Sequence, residues 1–327
     1  MMKKIPITDL DGFQIGQAQD RQQGTGVTCI LSMEGATAAV DVRGGGPATR
    51  ETDLLDPKNM VQKINAVVLS GGSAFGLESS SGVMQYLKEK GAGFGMKGLV
   101  VPIVCQASLF DLPCGSPDAY PDKAMGYEAA KNSEHPEWKS GCFGAGTGAS
   151  VGKLMGFENA MKSGIGSYAC QIGALKVGAI AAVNACGDVF EPDSKNRLAG
   201  IYHRASGMEI NTEDAVLNMV TQTMEGMNTT ICAVITNADL NQAEMTKLAG
   251  MCQNALARTI RPVHTPNDGD TVFTMTTNQV PMDLTAVSVV AIKALSEAIV
   301  DAIKSAEPMF GLESWSSLEE KKAKDNA

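Results

Sequence analysis

The sequence predicts a layered αββα sandwich of the mixed α/β (α+β) class, on three observations. Apolar, β-branched runs of strand length recur along the chain and are followed by helical patterns with one apolar face. Glycine is abundant, at 35 residues, while aromatics make up 5%, a balance that suits tight turns and close backbone approaches. With 327 residues, 44% of them hydrophobic, the chain can fill one large core. We expect one domain over residues 1–306 and a polar, loosely ordered tail over 307–327.

The elements follow in order. A first strand is expected at Gly26-Val27-Thr28-Cys29-Ile30-Leu31. A second, Ala38-Ala39-Val40-Asp41-Val42-Arg43, runs into Gly44-Gly45-Gly46-Pro47, and the short connection between the two predicts a hairpin. Ile64-Asn65-Ala66-Val67-Val68-Leu69-Ser70 reads as a buried strand. It meets the turn Gly71-Gly72-Ser73-Ala74-Phe75-Gly76 and a helix with the face Leu77, Val83, Leu87. A glycine turn between strand and helix can cradle an anion. No Lys-Ser/Thr closes a P-loop here, however, so close packing near a site is the better reading. Leu99-Val100-Val101-Pro102-Ile103-Val104 predicts a strand at an edge or bulge.

A loop-rich stretch over 111–140 contains a short helix at 124–131. The glycine loop Gly141-Cys142-Phe143-Gly144-Ala145-Gly146-Thr147-Gly148 comes next, then strands over 167–172 and 177–183. Residues 189–228 read as an exposed linker with a short helix over 212–220. Beyond it the order is strand 231–236, helix 242–257, strand 271–277 and a long helix 284–305, faced by Leu284, Val287, Ala291, Leu295, Ala298 and Ala302.

Composition excludes several functions. The net charge is −9, and the densest basic stretch is Lys321-Lys322-Ala323-Lys324, so no nucleic-acid partner is expected. No apolar run reaches membrane-spanning length and none behind Met1-Met2-Lys3-Lys4 reads as a signal peptide, so the expected location is cytoplasmic and away from membranes. The eight cysteines form no C-x-x-C pair and read as buried free thiols, with no metal site. Only His135, His203 and His264 are present, which leaves little for a Ser-His-Asp triad.

An N-terminal amine would fill that gap. Asn228-Thr229-Thr230 precedes the run Ile231-Cys232-Ala233-Val234-Ile235. A threonine freed at its own N-terminus can use its α-amine as the base for its hydroxyl. Thr229 and Thr230 are both candidates, as is the plain alternative of a strand that begins with threonine.

Several motifs, in order and spacing, resemble the DmpA-type family of self-processing aminopeptidases (L-aminopeptidase/D-esterase and β-aminopeptidases). They include Thr25-Gly26-Val27-Thr28, Leu69-Ser70-Gly71-Gly72-Ser73-Ala74-Phe75-Gly76-Leu77, Gly144-Ala145-Gly146-Thr147-Gly148-Ala149 and Gly173-Ala174-Leu175-Lys176-Val177-Gly178. Val183-Asn184-Ala185, Asn228-Thr229-Thr230, Leu256-Ala257-Arg258 and Asp268-Gly269-Asp270-Thr271-Val272-Phe273 complete the set, which covers roughly residues 10–305. The resemblance implies the sandwich of the DmpA/ornithine-acetyltransferase-like type. It also implies self-cleavage between Asn228 and Thr229 into an α segment 1–228 and a β segment 229–306, with Thr229 as nucleophile.

By the same resemblance, Asn184 donates to the oxyanion, and Asp268 and Asp270 hold the Thr229 ammonium or relay a proton. Substrate contacts are expected from Gly146, Thr147, Gly148 and Lys153. The family's second oxyanion donor, a tyrosine after the glycine loop, is missing: Ala149-Ser150-Val151-Gly152-Lys153 stands there, leaving loop amides or Lys153 to replace it. The implied activity is hydrolysis of the amide bond after the N-terminal residue of a small peptide, amide or ester, without metal or organic cofactor. A homo-oligomer, a tetramer of αβ units, is implied too. The alternatives are an acyltransferase or pantetheine-type amidohydrolase on the same fold, and an uncleaved, non-enzymatic relative.

Overall fold

In a computed structural model, residues 1–135, 137–218 and 228–325 are described. Among the described residues, ten strands form one hydrogen-bonded sheet, nine of them on a single path. From one edge it runs Lys3–Ile5, Ile165–Ile172, Leu175–Asn184, Thr229–Asp239, Thr271–Pro281, Thr25–Val42, Lys63–Ser70, Val104–Ser108 and Ala48–Arg50, with Gln14–Asp20 paired to the side of Thr25–Val42.

The path folds over on itself, and the side-chain alternation shows how. Along Thr229–Asp239, Ile231, Ala233 and Ile235 join one apolar cluster, whereas Cys232 and Val234 join another. In Lys63–Ser70, Val67 and Leu69 join that first cluster, while Ala66 and Val68 enter a third. The cluster common to both strands therefore lies between two sheet halves. The second cluster packs one half against the helices Gln242–Thr259 and Leu284–Lys304. The third packs the other half against Ser79–Glu89 and Lys123–Asn132. Three apolar interlayers separate four layers, which is the αββα order expected from the sequence.

Both long helices are well begun. Asn241 and Glu244 form a reciprocal capping box, and Asp283 accepts from the Thr285 and Ala286 amides. No helix among the described residues is long and apolar enough to cross a membrane. The eight cysteines are all free, seven of them buried, as expected.

Four expectations need correction. The first two strands are not a hairpin but one 18-residue strand, Thr25–Val42. Its pairing with Lys63–Ser70 is irregular between Leu31 and Ala36, where Gly35 takes φ +78°. The bend lets one strand serve both sheet halves, which a local pattern reads as two strands with a turn. The run 99–104 is split at Pro102 into Leu99–Val101, paired with Phe94–Met96 outside the large sheet, and Val104–Ser108 within it.

The stretch 189–218 is no exposed linker. Val189, Phe190, Leu198, Ala199 and Ile201 are buried, and short strands precede the helix Thr212–Asn218. Two of its polar residues, Arg197 and Thr212, are turned inward upon buried Asp188, whose carboxylate takes Arg197 Nη2 at 3.0 Å, Thr212 Oγ1 at 2.8 Å and Thr212 N at 2.7 Å. The remainder of that expectation, over 219–227, lies outside the described residues. Finally, the polar tail is docked. Leu312, Ser314 and Leu318 are buried, and Trp315–Asp325 is helical. Polar composition misleads there because one apolar face of a short helix is enough to anchor it.

Candidate active site

Two neighbouring strands place the central pair. Leu175–Asn184 and Thr229–Asp239 are antiparallel, with Asn184 directly opposite Thr229. Both share the strand face that carries Ala182 and Ile231, so both point between the sheet halves. Thr230 points the other way, toward the helix layer, as do Val183 and Cys232. Its Oγ1 is buried and has no hydrogen-bond partner among the described residues. Strand alternation thus separates two chemically identical threonines.

Thr229 is buried, and its Oγ1 is turned back onto the carbonyl oxygen of Asn228. That same oxygen accepts the Gly269 amide at 2.9 Å, and the Asn228 amide donates to Asn267 O at 3.1 Å. Gly269 is present for room: a Cβ there would stand 2.7 Å from Thr229 Oγ1. The Asn228–Thr229 bond therefore sits with its hydroxyl close by and its carbonyl oxygen on a fixed donor, the arrangement that stabilises a developing oxyanion.

Opposite, the Lys153 ammonium donates to Asn184 Oδ1 and Asn184 O, both at 2.8 Å, and to Ser150 O at 2.9 Å. Asn184 Oδ1 also accepts the Ser150 amide at 3.1 Å, and its Nδ2 donates to Phe110 O at 2.9 Å. In this structure the donor on the Asn228 carbonyl is thus the Gly269 amide, while Asn184 holds the lysine in place. Burial pushes the Lys153 ammonium down to about 7, despite nearby Cys186 and Asp268, which favour its charge. An amine titrating near neutrality is suited to proton transfer.

Asp268 and Asp270 flank Gly269. Burial, and then the neighbouring Asp270 charge, raise Asp268 to about 6. Its Oδ2 accepts the Thr265 amide at 2.7 Å, and its Oδ1 is buried with no hydrogen-bond partner among the described residues. Asp270 grips the strand itself: its Oδ1 accepts the Thr230 amide at 2.7 Å.

Beneath lies the glycine loop. Gly146, Thr147 and Gly148 are buried, the Thr147 hydroxyl donates to Gly144 O at 2.7 Å, and a Cβ on Gly148 would meet Gly24 O at 2.1 Å. These three residues pack closely on the backbone around them, while Lys153 hydrogen-bonds Asn184 at the end of the strand opposite Thr229.

A family model for peptidase family S58 matches residues 6–316. The chain belongs to peptidase family S58. It is similar to an uncharacterized aminopeptidase of Mycobacterium tuberculosis, at 35% identity over 94% of this chain and 96% of the relative. A 6-aminohexanoate-oligomer endohydrolase of Agromyces is 30% identical, over 91% of this chain and 84% of the relative. The solved L-aminopeptidase D-Ala-esterase/amidase of Ochrobactrum anthropi, a variant of the N-terminal-nucleophile hydrolase fold, superposes with a TM-score of 0.72 at 17% identity, covering 98% and 94% of the two chains. A Burkholderia β-aminopeptidase gives 0.66 at 18% identity, covering 97% and 93%. This S58 chain is accordingly a hydrolase of the aminopeptidase type, and its sandwich is the N-terminal-nucleophile fold.

Sequence reasoning missed three residues in and around the candidate site. Asp111 is buried and raised to about 6 by burial; its Oδ1 accepts the Gly72 amide at 2.6 Å and its Oδ2 the Thr25 hydroxyl at 3.0 Å. The anion cradled by the glycine turn is therefore the protein's own carboxylate. Lys162 is fully buried and bonds Ala149 O at 2.8 Å and Ser163 O at 2.6 Å, bracing the glycine loop. His264 bonds Asp270. Charged residues inside apolar runs, such as Lys162 after Ala160-Met161, were the available signal.

Proposed function

We propose that the protein is a self-processing N-terminal-nucleophile peptidase that cuts its own Asn228–Thr229 bond and then hydrolyses small amides through Thr229. The observation that carries this is the Thr229 hydroxyl folded onto the Asn228 carbonyl, whose oxygen already accepts the Gly269 amide.

In the first stage Thr229 Oγ attacks the Asn228 carbonyl carbon. Lys153, held on Asn184 across the strand pair, takes the hydroxyl proton and returns it to the departing Thr229 nitrogen. The C–N bond breaks, a C–O ester remains, and water hydrolyses it. The products are the Asn228 carboxylate and a free Thr229 amine.

The second stage repeats this chemistry on substrate. Thr229 Oγ attacks the scissile carbonyl, and its α-amine or Lys153 accepts the proton and passes it to the leaving amine. Water then releases the acyl group. Asp268 and Asp270 lie beside the new ammonium and can hold it. The reading places the cut after the N-terminal residue of small peptides, amides or esters. Support for that position comes from the relatives named aminopeptidases.

A denaturing gel tests it. Purified protein should split into residues 1–228 and 229–327, with Thr-Thr-Ile at the new N-terminus. Thr229→Ala should stay whole and inactive. A Thr229→Ala chain that still splits, or a wild type that stays whole yet hydrolyses peptides, overturns the assignment.

A further inference from the structure

The loop that supplies Asp268, Gly269 and Asp270 begins at His264, and His264 is tied to its far end. The ring Nδ1 lies 2.9 Å from Asp270 Oδ2, and the His264 backbone amide donates to that same oxygen at 3.0 Å. The other oxygen of Asp270 holds the Thr230 amide at 2.7 Å, the peptide group directly after the nucleophile. One carboxylate therefore clamps the start of the loop to the strand that carries Thr229.

Between the two ends, the loop closes on itself. Thr265 N donates to Asp268 Oδ2 at 2.7 Å, and Asp268 N to Thr265 O at 3.0 Å. The next amide, Gly269, is the donor on the scissile carbonyl. His264 takes a left-handed backbone, φ +58°, a conformation uncommon outside glycine and more open to histidine, asparagine and aspartate than to other side chains. The ring is mostly buried, and its Nε2 has no hydrogen-bond partner among the described residues. Among the described residues, the one polar contact of the ring is thus the Asp270 carboxylate.

We propose that His264 is a positioning residue for self-cleavage: its ring holds Asp270, and Asp270 holds the nucleophile strand in register with the Gly269 amide. The proposal rests on the reading that Thr229 cuts the chain. The ring touches neither the scissile bond nor Thr229, so its effect passes through Asp270 alone. A displacement of about 1 Å at a reacting group can cost on the order of a hundredfold in rate.

Two substitutions separate the ring's hydrogen bond from the backbone conformation. Asparagine and glycine both accept a left-handed φ, so neither strains the loop. His264→Asn puts an Nδ2 donor close to the position of the lost ring Nδ1; His264→Gly has none. Full-length chains are made by cell-free synthesis, and the appearance of the 229–327 fragment is followed in time beside the thermal unfolding midpoint.

The expected result is splitting slowed by about tenfold or more in His264→Gly, and within about threefold of wild type in His264→Asn. That gap should persist at temperatures where both variants are fully folded, which a purely structural role does not produce. If His264→Gly does not fold, His264→Asp, which also tolerates the conformation and presents an acceptor to Asp270, carries the same expectation. Equal splitting by the donor-bearing and donor-free variants overturns the role of His264 while leaving Thr229 in place. A wild type that never splits overturns the cleavage reading and this role together.

Discussion

Replacing Gly269 by alanine is the sharpest probe of the scissile geometry. A Cβ at this position would stand 2.7 Å from Thr229 Oγ1, 3.0 Å from Gly46 O and 3.2 Å from Pro47 Cα. Two of those neighbours are backbone atoms on the far side, so the methyl group cannot retreat from the hydroxyl. Gly269 is not among the glycines with positive φ, so alanine meets no backbone penalty and the perturbation is steric. Ordinary contact needs roughly 3.4 Å or more, so the Thr229 hydroxyl or the Gly269 amide must move by about 0.7 Å. Either shift degrades attack or the donor on the carbonyl oxygen. Removal of one such donor costs about 100- to 1,000-fold, or roughly 3–4 kcal/mol. The assay is the time course of the 229–327 fragment after synthesis, with thermal unfolding as a check on folding. A folded Gly269→Ala chain that splits at the wild-type rate refutes the argument that this amide and this hydroxyl set up the cut.

Other outcomes follow from the same geometry. Thr230→Val should split at the wild-type rate and lose no stability, because its buried hydroxyl has no hydrogen-bond partner among the described residues; N-terminal sequencing and a melting curve check both. Lys153 is lowered to about 7, so its neutral, proton-accepting form grows as pH rises through that value. Self-cleavage should climb across pH 6–8 in wild type, and Lys153→Met should be slow and flat over the same range. The lysine also bears on stability: the folded chain binds fewer protons than the unfolded one between about 7 and 10.5, so this residue adds stability as pH rises through that window. Asp268 behaves in the opposite sense. Raised to about 6 from 3.8, it retains its proton in the fold, and its contribution is present below pH 3.8 and lost as pH rises through 6. Asp268→Asn should therefore raise the melting temperature at pH 7 by about a few degrees, with hydrolysis strongly reduced.

The sandwich was legible because its signals are local. Strand runs such as Ile64 to Ser70 and helical faces such as Val287, Ala291 and Leu295 each record which side is buried, and four layers follow from enough of them. Three of the four misreadings share one cause. Gly35 bends a single strand across two sheet halves, Asp188 draws polar residues inward, and Leu318 anchors a polar helix. In each case a distant contact overrides the local pattern.

The site divides the same way. The order of motifs along the chain pointed to the candidate bond, Asn228–Thr229, to the acids around Gly269 and to Lys153 in the segment where the resembled family carries a tyrosine. Tertiary structure decided which threonine faces between the sheet halves, that Asn184 holds Lys153 and that the Asn228 carbonyl takes its donor from Gly269. It also decided that the anion on the Gly71-Gly72 turn is Asp111. The physical reason is the range of the forces involved. Periodicity and turn chemistry act over a few residues and can be read in a line, whereas a carbonyl polarised by an amide 41 positions away or an ammonium lowered by burial exists only once the layers have closed.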